Sequence, residues 1–190
     1  MKILLGHKVG MTQLWNDSGK LVGATVIKAE PNLIIRQNDT TLVGLGISGK
    51  TNKPQRKTAE ALGSKKGIWL KKTDPTEEKT LSVEQFEVGE DVSVSGVTKG
   101  KGFAGGMKRH GFHGGPKTHG SNQHRAPGSI GAQQPQRVPK GQKMAGRMGG
   151  ANLTVYGNKI ISINKDKNLL VVTGAVPGPA KGKVVVQTHV

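Results

Sequence analysis

The stretch Lys99-Gly-Lys-Gly-Phe-Ala-Gly-Gly-Met-Lys-Arg-His-Gly-Phe-His-Gly-Gly-Pro-Lys-Thr-His-Gly120 divides this chain into two kinds of sequence. It lies inside a run from Val92 to Lys165 that contains no Asp or Glu. Its cations and glycines leave room for few large apolar side chains, so the stretch has too little apolar surface to bury a core of its own. Its positive charge also opposes collapse, because the run contains no carboxylate to neutralise it.

Short runs rich in Val, Ile and Leu lie on both sides of this basic region. Their lengths and their β-branched content predict strands rather than helices. The predicted strands are Lys2–Leu5, Leu21–Lys28, Leu33–Gln37, Leu42–Ile47, Asp91–Thr98, Leu153–Tyr156, Lys159–Asn164, Leu169–Thr173 and Lys183–Thr188. Asn164–Asn168 predicts a hairpin turn between two of them. Many short strands at this spacing predict a mainly β fold, an antiparallel barrel or sandwich.

Two segments depart from the strand pattern. Pro54–Leu62 is the one predicted helix, and it opens a polar insertion over residues 52–79. Gly96–Gly150 has 15 Gly and 4 Pro and no periodicity. A structureless loop of that length is unusual inside a compact domain unless it is functional or bound to a partner. We therefore predict a β-barrel built from residues 1–97 and 151–190, with a long irregular basic extension over residues 98–150.

The net charge of +17 is concentrated in the second half of the chain. Met1–Asp91 contains 14 Lys/Arg against 11 Asp/Glu, whereas Val92–Val190 contains 15 against one. Solvated surfaces usually mix both signs, so this segregation favours a polyanionic partner, and nucleic acid is the expected one. The cations predicted to contact it are Lys99, Lys101, Lys108, Arg109, Lys117, Arg125, Arg137, Lys140, Lys143 and Arg147.

Gly100–Gly105 matches the dinucleotide-binding pattern G-x-G-x-x-G but lacks its context. That fingerprint is followed by a helix and, about 20 residues later, by an acidic residue. Here more glycines follow, and no acid occurs before Asp166. A nucleotide-dependent enzyme therefore stays a weaker alternative to nucleic-acid binding.

The four histidines His110, His113, His119 and His124 suggest a zinc site, but the chain has no Cys and no carboxylate lies near them. Against RNA, histidine can donate to phosphate or to a 2′-hydroxyl, or stack on a base. Ser121 lacks the buried acid that a catalytic triad needs. We predict no catalytic residue, no protein metal site and no cofactor, with any Mg²⁺ bound by RNA.

The aromatic content of the basic region is low, with Phe103 and Phe112 its only members. Proteins that bind single strands by stacking successive bases need an aromatic platform. Helices, zippers and Cys-based fingers that recognise DNA are also missing. Recognition is therefore predicted to rest on the phosphate backbone and on shape, as for folded RNA.

Several blocks of the chain, in order, resemble one known family. They are Gly6–Thr12, Thr98–Phe103, Met107–Phe112, Gly114–Ser121, His124–Gly131, Lys143–Gly149 and Gly174–Pro179. Together they resemble the large-subunit ribosomal protein L-three family in its bacterial form, over nearly the whole chain.

The resemblance implies a barrel of the translation-protein type and an extension that threads through large-subunit ribosomal RNA toward the peptidyl-transferase region. It implies direct binding to that RNA early in assembly, contact with neighbouring ribosomal proteins and no enzymatic activity. The four histidines join the ten cations as expected RNA contacts. A general nucleic-acid chaperone or nucleoid protein, which uses the same charge without a fixed site, is the alternative.

The chain also departs from the family pattern. The insertion at residues 52–79 is shorter than in most bacterial members, and Gln133–Pro139 is one residue shorter. Some bacterial members carry a methylated glutamine where this chain has Ala132, so we expect no such modification. No apolar run approaches the ~20 residues of a membrane span, and no targeting peptide is visible, so we expect a cytoplasmic location, in the ribosome.

Overall fold

A computed structural model describes residues 2–16, 18–37, 40–47, 52–54, 57, 67–73 and 80–188 of the chain. The chain folds into two compact units. The first, which we call the β unit, contains Met1–Thr98 and Asn152–Val190. The second, which we call the basic segment, contains Lys99–Ala151.

The described residues are mainly β-strand with antiparallel pairing, as the sequence predicts. The strands are β1 (Ile3–Trp15), β2 (Leu21–Lys28), β3 (Asn32–Gln37), β4 (Thr40–Ile47), β5 (Gly67–Thr73), β6 (Thr80–Leu81), β7 (Asp91–Val97), β8 (Phe103–Ala104), β9 (Gly146–Arg147), β10 (Asn152–Asn164), β11 (Leu169–Thr173) and β12 (Lys183–Thr188). A short helix, α1, spans Gly106–His110, and a 3-10 turn spans Val83–Gln85.

Six strands of the β unit form a closed barrel in the order β1-β12-β7-β10-β11-β2, with β2 paired back to β1. Val94 of β7 lies opposite Val186 of β12 on one side and Val155 of β10 on the other. The β10–β11 connection is the predicted turn, where the Asn164 side chain accepts a hydrogen bond from the Lys167 N–H at 3.0 Å. Strands from both ends of the sequence therefore build one barrel.

A bulge in β10 joins two strands that the sequence analysis separated. Leu153–Tyr156 and Lys159–Asn164 were predicted as distinct strands, but both belong to β10. The pairing of β10 with β7 shifts register between Val155 and Asn158, and Gly157 there has a φ of +72°. Glycine adopts that conformation without the strain of a Cβ, so the strand bends at a bulge instead of ending.

Strand β1 is also longer than predicted, again because the strand continues through a glycine. It was expected to end at Leu5, but it continues to Trp15. A Cβ at Gly6 would lie 2.8 Å from the Ile27 side chain of β2. Glycine is therefore needed here for close packing of two strands, whereas in the sequence it resembles a strand-breaking residue.

The remaining strands of the β unit form a second sheet in the order β5-β4-β3-β6. Strand β5 was not predicted, because it falls within the insertion expected to be polar and partly helical. It pairs with β4, with Trp69 opposite Leu45, and it buries Ile68 while Lys71 and Lys72 are exposed.

The predicted helix at Pro54–Leu62 lies mostly outside the described residues. Of that region and its flank, Lys53, Pro54 and Lys57 are described, and they are helical.

One hydrophobic core serves both sheets of the β unit. Leu4 and Leu5 of β1, Ile27 of β2 and Leu170 of β11 have no exposed surface, and Val43 of β4 belongs to the same cluster. Burial of an aliphatic side chain of this size contributes about 1.5–3 kcal/mol each. The two sheets of the β unit therefore pack against each other through this shared core.

Asn32 connects the second sheet to the barrel by hydrogen bonds. Its Oδ1 accepts from the Leu5 N–H at 2.9 Å, and its Nδ2 donates to the Leu5 carbonyl at 3.0 Å and to the Glu30 carbonyl at 2.7 Å. The side chain is completely buried. Asn32 therefore satisfies two main-chain groups of β1 that water does not reach.

We predict that Asn32→Ala lowers the free energy of unfolding by about 1–3 kcal/mol, because the Leu5 N–H and carbonyl stay buried without partners. Asn16→Ala is the matched control. Asn16 Oδ1 also accepts a main-chain hydrogen bond, from Lys20 at 2.8 Å, but in an exposed turn where water replaces it. The control should change stability by less than about 0.5 kcal/mol. Equilibrium urea unfolding measures both, and equal losses would contradict the assignment.

Candidate nucleic-acid interface

The two ends of the basic segment pair with each other. Strands β8 and β9 place Phe103 opposite Arg147 and Ala104 opposite Gly146. Beside them, the Lys101 N–H donates to the Met148 carbonyl and the Met148 N–H donates to the Gly102 carbonyl, both at 2.9 Å. The region predicted to be a long irregular extension therefore begins and ends in a small hydrogen-bonded ladder.

Helix α1 follows this ladder and is held to the returning chain by one carbonyl. The Met144 carbonyl accepts a hydrogen bond from Arg109 Nη1 at 2.8 Å, and a ring nitrogen of His110 lies 3.0 Å from the same oxygen. Gly111 ends the helix with a φ of +72°. The His110 and Phe112 rings then meet at 5.8 Å between centroids. The α1 side chains are thus oriented by main-chain contacts within the segment.

A second set of contacts closes the chain between residues 114 and 124. The Gly115 N–H donates to the Gln123 carbonyl at 3.2 Å, and a His124 ring nitrogen lies 3.0 Å from the Pro116 carbonyl. A Cβ at Gly114 would collide with the His124 carbonyl oxygen and with the Met107 side chain. A Cβ at Gly115 would likewise lie 2.7 Å from the Gln123 carbonyl oxygen, so the two passes of the chain approach this closely because residues 114 and 115 are both glycine.

The structure leaves the predicted contact residues open to solvent. The ten cations named above are all exposed, as are His113, His119 and His124, while His110 is half-buried. Three ion pairs occur among the described residues, Lys2–Glu90, Lys28–Glu30 and Lys165–Glu84, and all lie in the β unit. The charge of the basic segment is therefore exposed and uncompensated within the described chain.

The predicted residues are spread along the segment, from Lys99 to Arg147. The described residues contain no group of three His, Cys, Asp or Glu side chains placed to hold a metal ion. Within the described ranges, no helix is long and apolar enough to span a membrane. A distributed cationic surface suits an extended polyanion better than a small ligand.

The β unit contains a groove of about 310 Å³ beside the end of β1 and the interior of β10. Its lining includes Trp15, Val22, Val88 and Ile161, and Lys159 is the one titratable side chain among the lining residues. General acid–base catalysis needs a positioned proton donor or acceptor, usually His, Asp or Glu. The groove therefore offers an apolar surface and no catalytic pair.

Sequence reasoning missed the residues that organise the segment. It named the charged side chains but not Gly114 or the Met144 carbonyl, which orient them. A main-chain acceptor leaves no signal in the sequence, and Gly114 is one of many glycines in the region. Its requirement for close approach becomes visible only when its neighbour across the chain, His124, is known.

Comparison with known proteins identifies the family. A family model described as Ribosomal protein L3 matches residues 42–175. The chain belongs to the ribosomal protein L3 family. It is 43% identical to the large ribosomal subunit protein uL3 of Bacillus mycoides (strain KBAB4), over 98% of this chain and 96% of that protein. It is 40% identical to the protein of the same name from Oceanobacillus iheyensis, over 100% of this chain and 98% of that one.

The ribosomal protein L3 match includes the whole basic segment. Residues 99–151 lie inside the matched range of 42–175. The segment is therefore part of what this chain shares with the ribosomal protein L3 family, and the resemblance noted from the sequence blocks is confirmed.

We predict that Gly114→Ala opens the contact between residues 114 and 124, because the added Cβ would collide with the His124 carbonyl oxygen. Loss of the Gly115 hydrogen bond, worth about 1 kcal/mol, should speed hydrogen exchange at the Gly115 amide about fivefold. Gly100→Ala is the matched control, since a Cβ at Gly100 meets no atom within 4 Å. Unchanged exchange in Gly114→Ala would contradict the packing described here.

Proposed function

We propose that this protein is a structural constituent of the large ribosomal subunit that binds ribosomal RNA directly through its basic segment. One observation carries the proposal, namely ten exposed cations in residues 99–151 with no acidic residue among them. Membership of the ribosomal protein L3 family and relatives named as large ribosomal subunit proteins support it. RNA then supplies the negative charge that the chain lacks.

Charge compensation is the main source of binding energy in this proposal. Every phosphate neutralised by Lys or Arg releases condensed counterions, and this release is sequence-independent. The contacts must also offset the backbone entropy lost on ordering, about 1–2 kcal/mol for each residue that becomes fixed. Contacts spread along the whole segment, as the exposed cations are, meet that requirement better than a single site.

The contacts inside the segment determine which cations are oriented before binding. Arg109 is held by the Met144 carbonyl and still carries its full charge, because a carbonyl acceptor is neutral. An arginine oriented in this way can bind a phosphate with its remaining N–H groups. In this proposal the side chains of the other exposed cations, Lys117, Arg125, Arg137 and Lys140 among them, adapt to the RNA surface.

The β unit serves as the folded base of the protein in this proposal. We assign its barrel to the translation-protein type and place it on the subunit surface, in contact with neighbouring ribosomal proteins. The basic segment extends through RNA toward the peptidyl-transferase region and supports early assembly. The protein has no catalytic role of its own, needs no cofactor and acts in the cytoplasm as part of the ribosome.

Sedimentation separates this function from that of a general nucleic-acid chaperone. We predict that the tagged chain in a cell lysate migrates with the large subunit on a sucrose gradient and stays there after a high-salt wash, because it is threaded among RNA helices. A surface-bound protein loses its phosphate contacts as salt rises. Release by the wash, or spread over all nucleic acid, would support the chaperone and count against a fixed ribosomal site.

The salt dependence of binding tests which cations contact phosphate. We predict that Lys140→Gln combined with Lys143→Gln reduces the slope of log K against log salt by roughly 0.7–0.9 for each lysine. Lys20→Gln with Lys167→Gln removes the same charge from exposed hairpin turns of the β unit and is the matched control. Filter binding to transcribed large-subunit RNA over a salt series measures both slopes. Equal changes in the two variants would refute a localised interface.

A further inference from the structure

The ladder of β8 and β9 has two chemically different faces. Successive residues of a strand point to opposite sides, and residues directly opposite each other share a side. The pair Ala104–Gly146 therefore faces one way, and the pair Phe103–Arg147 faces the other. Each face can be characterised from its own contacts.

The face formed by Ala104 and Gly146 is covered from within the segment. Ala104 is buried, with 4% of its surface exposed. A Cβ at Gly146 would lie 2.5 Å from Arg109 Nη1, so the Arg109 guanidinium packs directly on that glycine. This face is the interior side of the ladder.

The opposite face presents a bare aromatic ring. Phe103 is 81% exposed, whereas the next residue, Ala104, is buried. Among the described residues, the ring contact is His110 with Phe112 and the cation–π contact is Lys183 over Trp69, so no such group covers Phe103. The Arg147 guanidinium lies beside Gly150, where a Cβ would be 3.2 Å from Nη2.

We infer that Phe103 is a stacking site for one unpaired nucleobase of the bound RNA, with Arg147 and Lys101 binding the flanking phosphates. Bases that leave an RNA helix stack on aromatic side chains, and this contact is independent of base identity. Phe103 is held on a hydrogen-bonded ladder, so its ring is positioned before the RNA arrives. The inference rests on the proposed RNA binding and adds a specific nucleotide contact to it.

The surroundings of Phe103 favour RNA over a protein partner. A single exposed apolar side chain is common and needs no explanation by itself. Here, however, it is flanked by the exposed cations Lys101 and Arg147 in a segment without acidic residues. A protein docking on this face would have to bring its own carboxylates, whereas a nucleotide supplies a flat apolar base and an anionic phosphate together.

Three substitutions of Phe103 in the full-length protein test the site. Phe103→Leu retains apolar surface but removes the flat ring, Phe103→Tyr retains the ring, and Phe103→Ala removes both. Stacking predicts that Leu and Ala weaken binding to transcribed large-subunit RNA by about 5- to 150-fold and that Tyr binds within about twofold of the parent. Val88→Ala, an exposed apolar residue of the β unit, is the control and should have no effect.

Chemical modification of the RNA locates the contact. With the parent or Phe103→Tyr bound, one base should be protected from a base-reactive reagent, and Phe103→Leu should restore its reactivity while phosphate protection persists. If all Phe103 variants bind alike and protect the same bases, the stacking site is wrong. If Phe103→Ala lowers incorporation into subunits without changing affinity for RNA, the ring contacts protein and the inference also fails. Failure of the unsubstituted protein to bind RNA would instead overturn the proposed function.

Discussion

The pairing of β7 with β10 is the constraint on which the rest of the structure depends. Val97 at the end of β7 lies opposite Asn152 at the start of β10. The chain therefore departs from the barrel and returns to it on adjacent strands, with the whole basic segment between them. All six strands of the closed barrel belong to the β unit. As a result, the segment can have a composition that no hydrophobic core would allow.

The basic segment gains local order without losing charge. An ion pair with a carboxylate would orient an arginine but cancel its charge, and this region contains no carboxylate. Main-chain carbonyls take that role, with Met144 accepting from Arg109 and lying beside His110, and Pro116 beside His124. Close glycine packing at residue 114 brings donors and acceptors together. The basic segment is thereby shaped by main-chain contacts, and the charge of its side chains remains available for a partner.

Sequence patterns predicted those features that depend on composition and on local alternation. Strands β2, β11 and β12 occur at the predicted residues, because their apolar side chains alternate or run together between clear turns. Bulges and close approaches were missed, because Gly6 acts through Ile27, which is distant in sequence, and Gly157 acts through a positive φ that the sequence does not reveal. Strand β5 was missed because Lys71 and Lys72 gave its region a polar appearance.

The predicted interface was likewise predictable in its composition but not in its geometry. Which residues carry charge follows from the sequence alone, whereas the orientation of Arg109 by Met144 and the outward direction of Phe103 depend on a register between residues about 35 to 44 positions apart.

The arrangement of strand edges bears on how a newly made chain behaves before it meets a partner. Unpaired strand edges are templates for aggregation, and proteins protect them by closure or by lysine. The six-stranded barrel is closed, so its strands have neighbours on both sides. The β5 edge of the second sheet carries the exposed Lys71 and Lys72. In a newly made chain, these two lysines oppose edge-to-edge pairing of β5 with another copy of the chain.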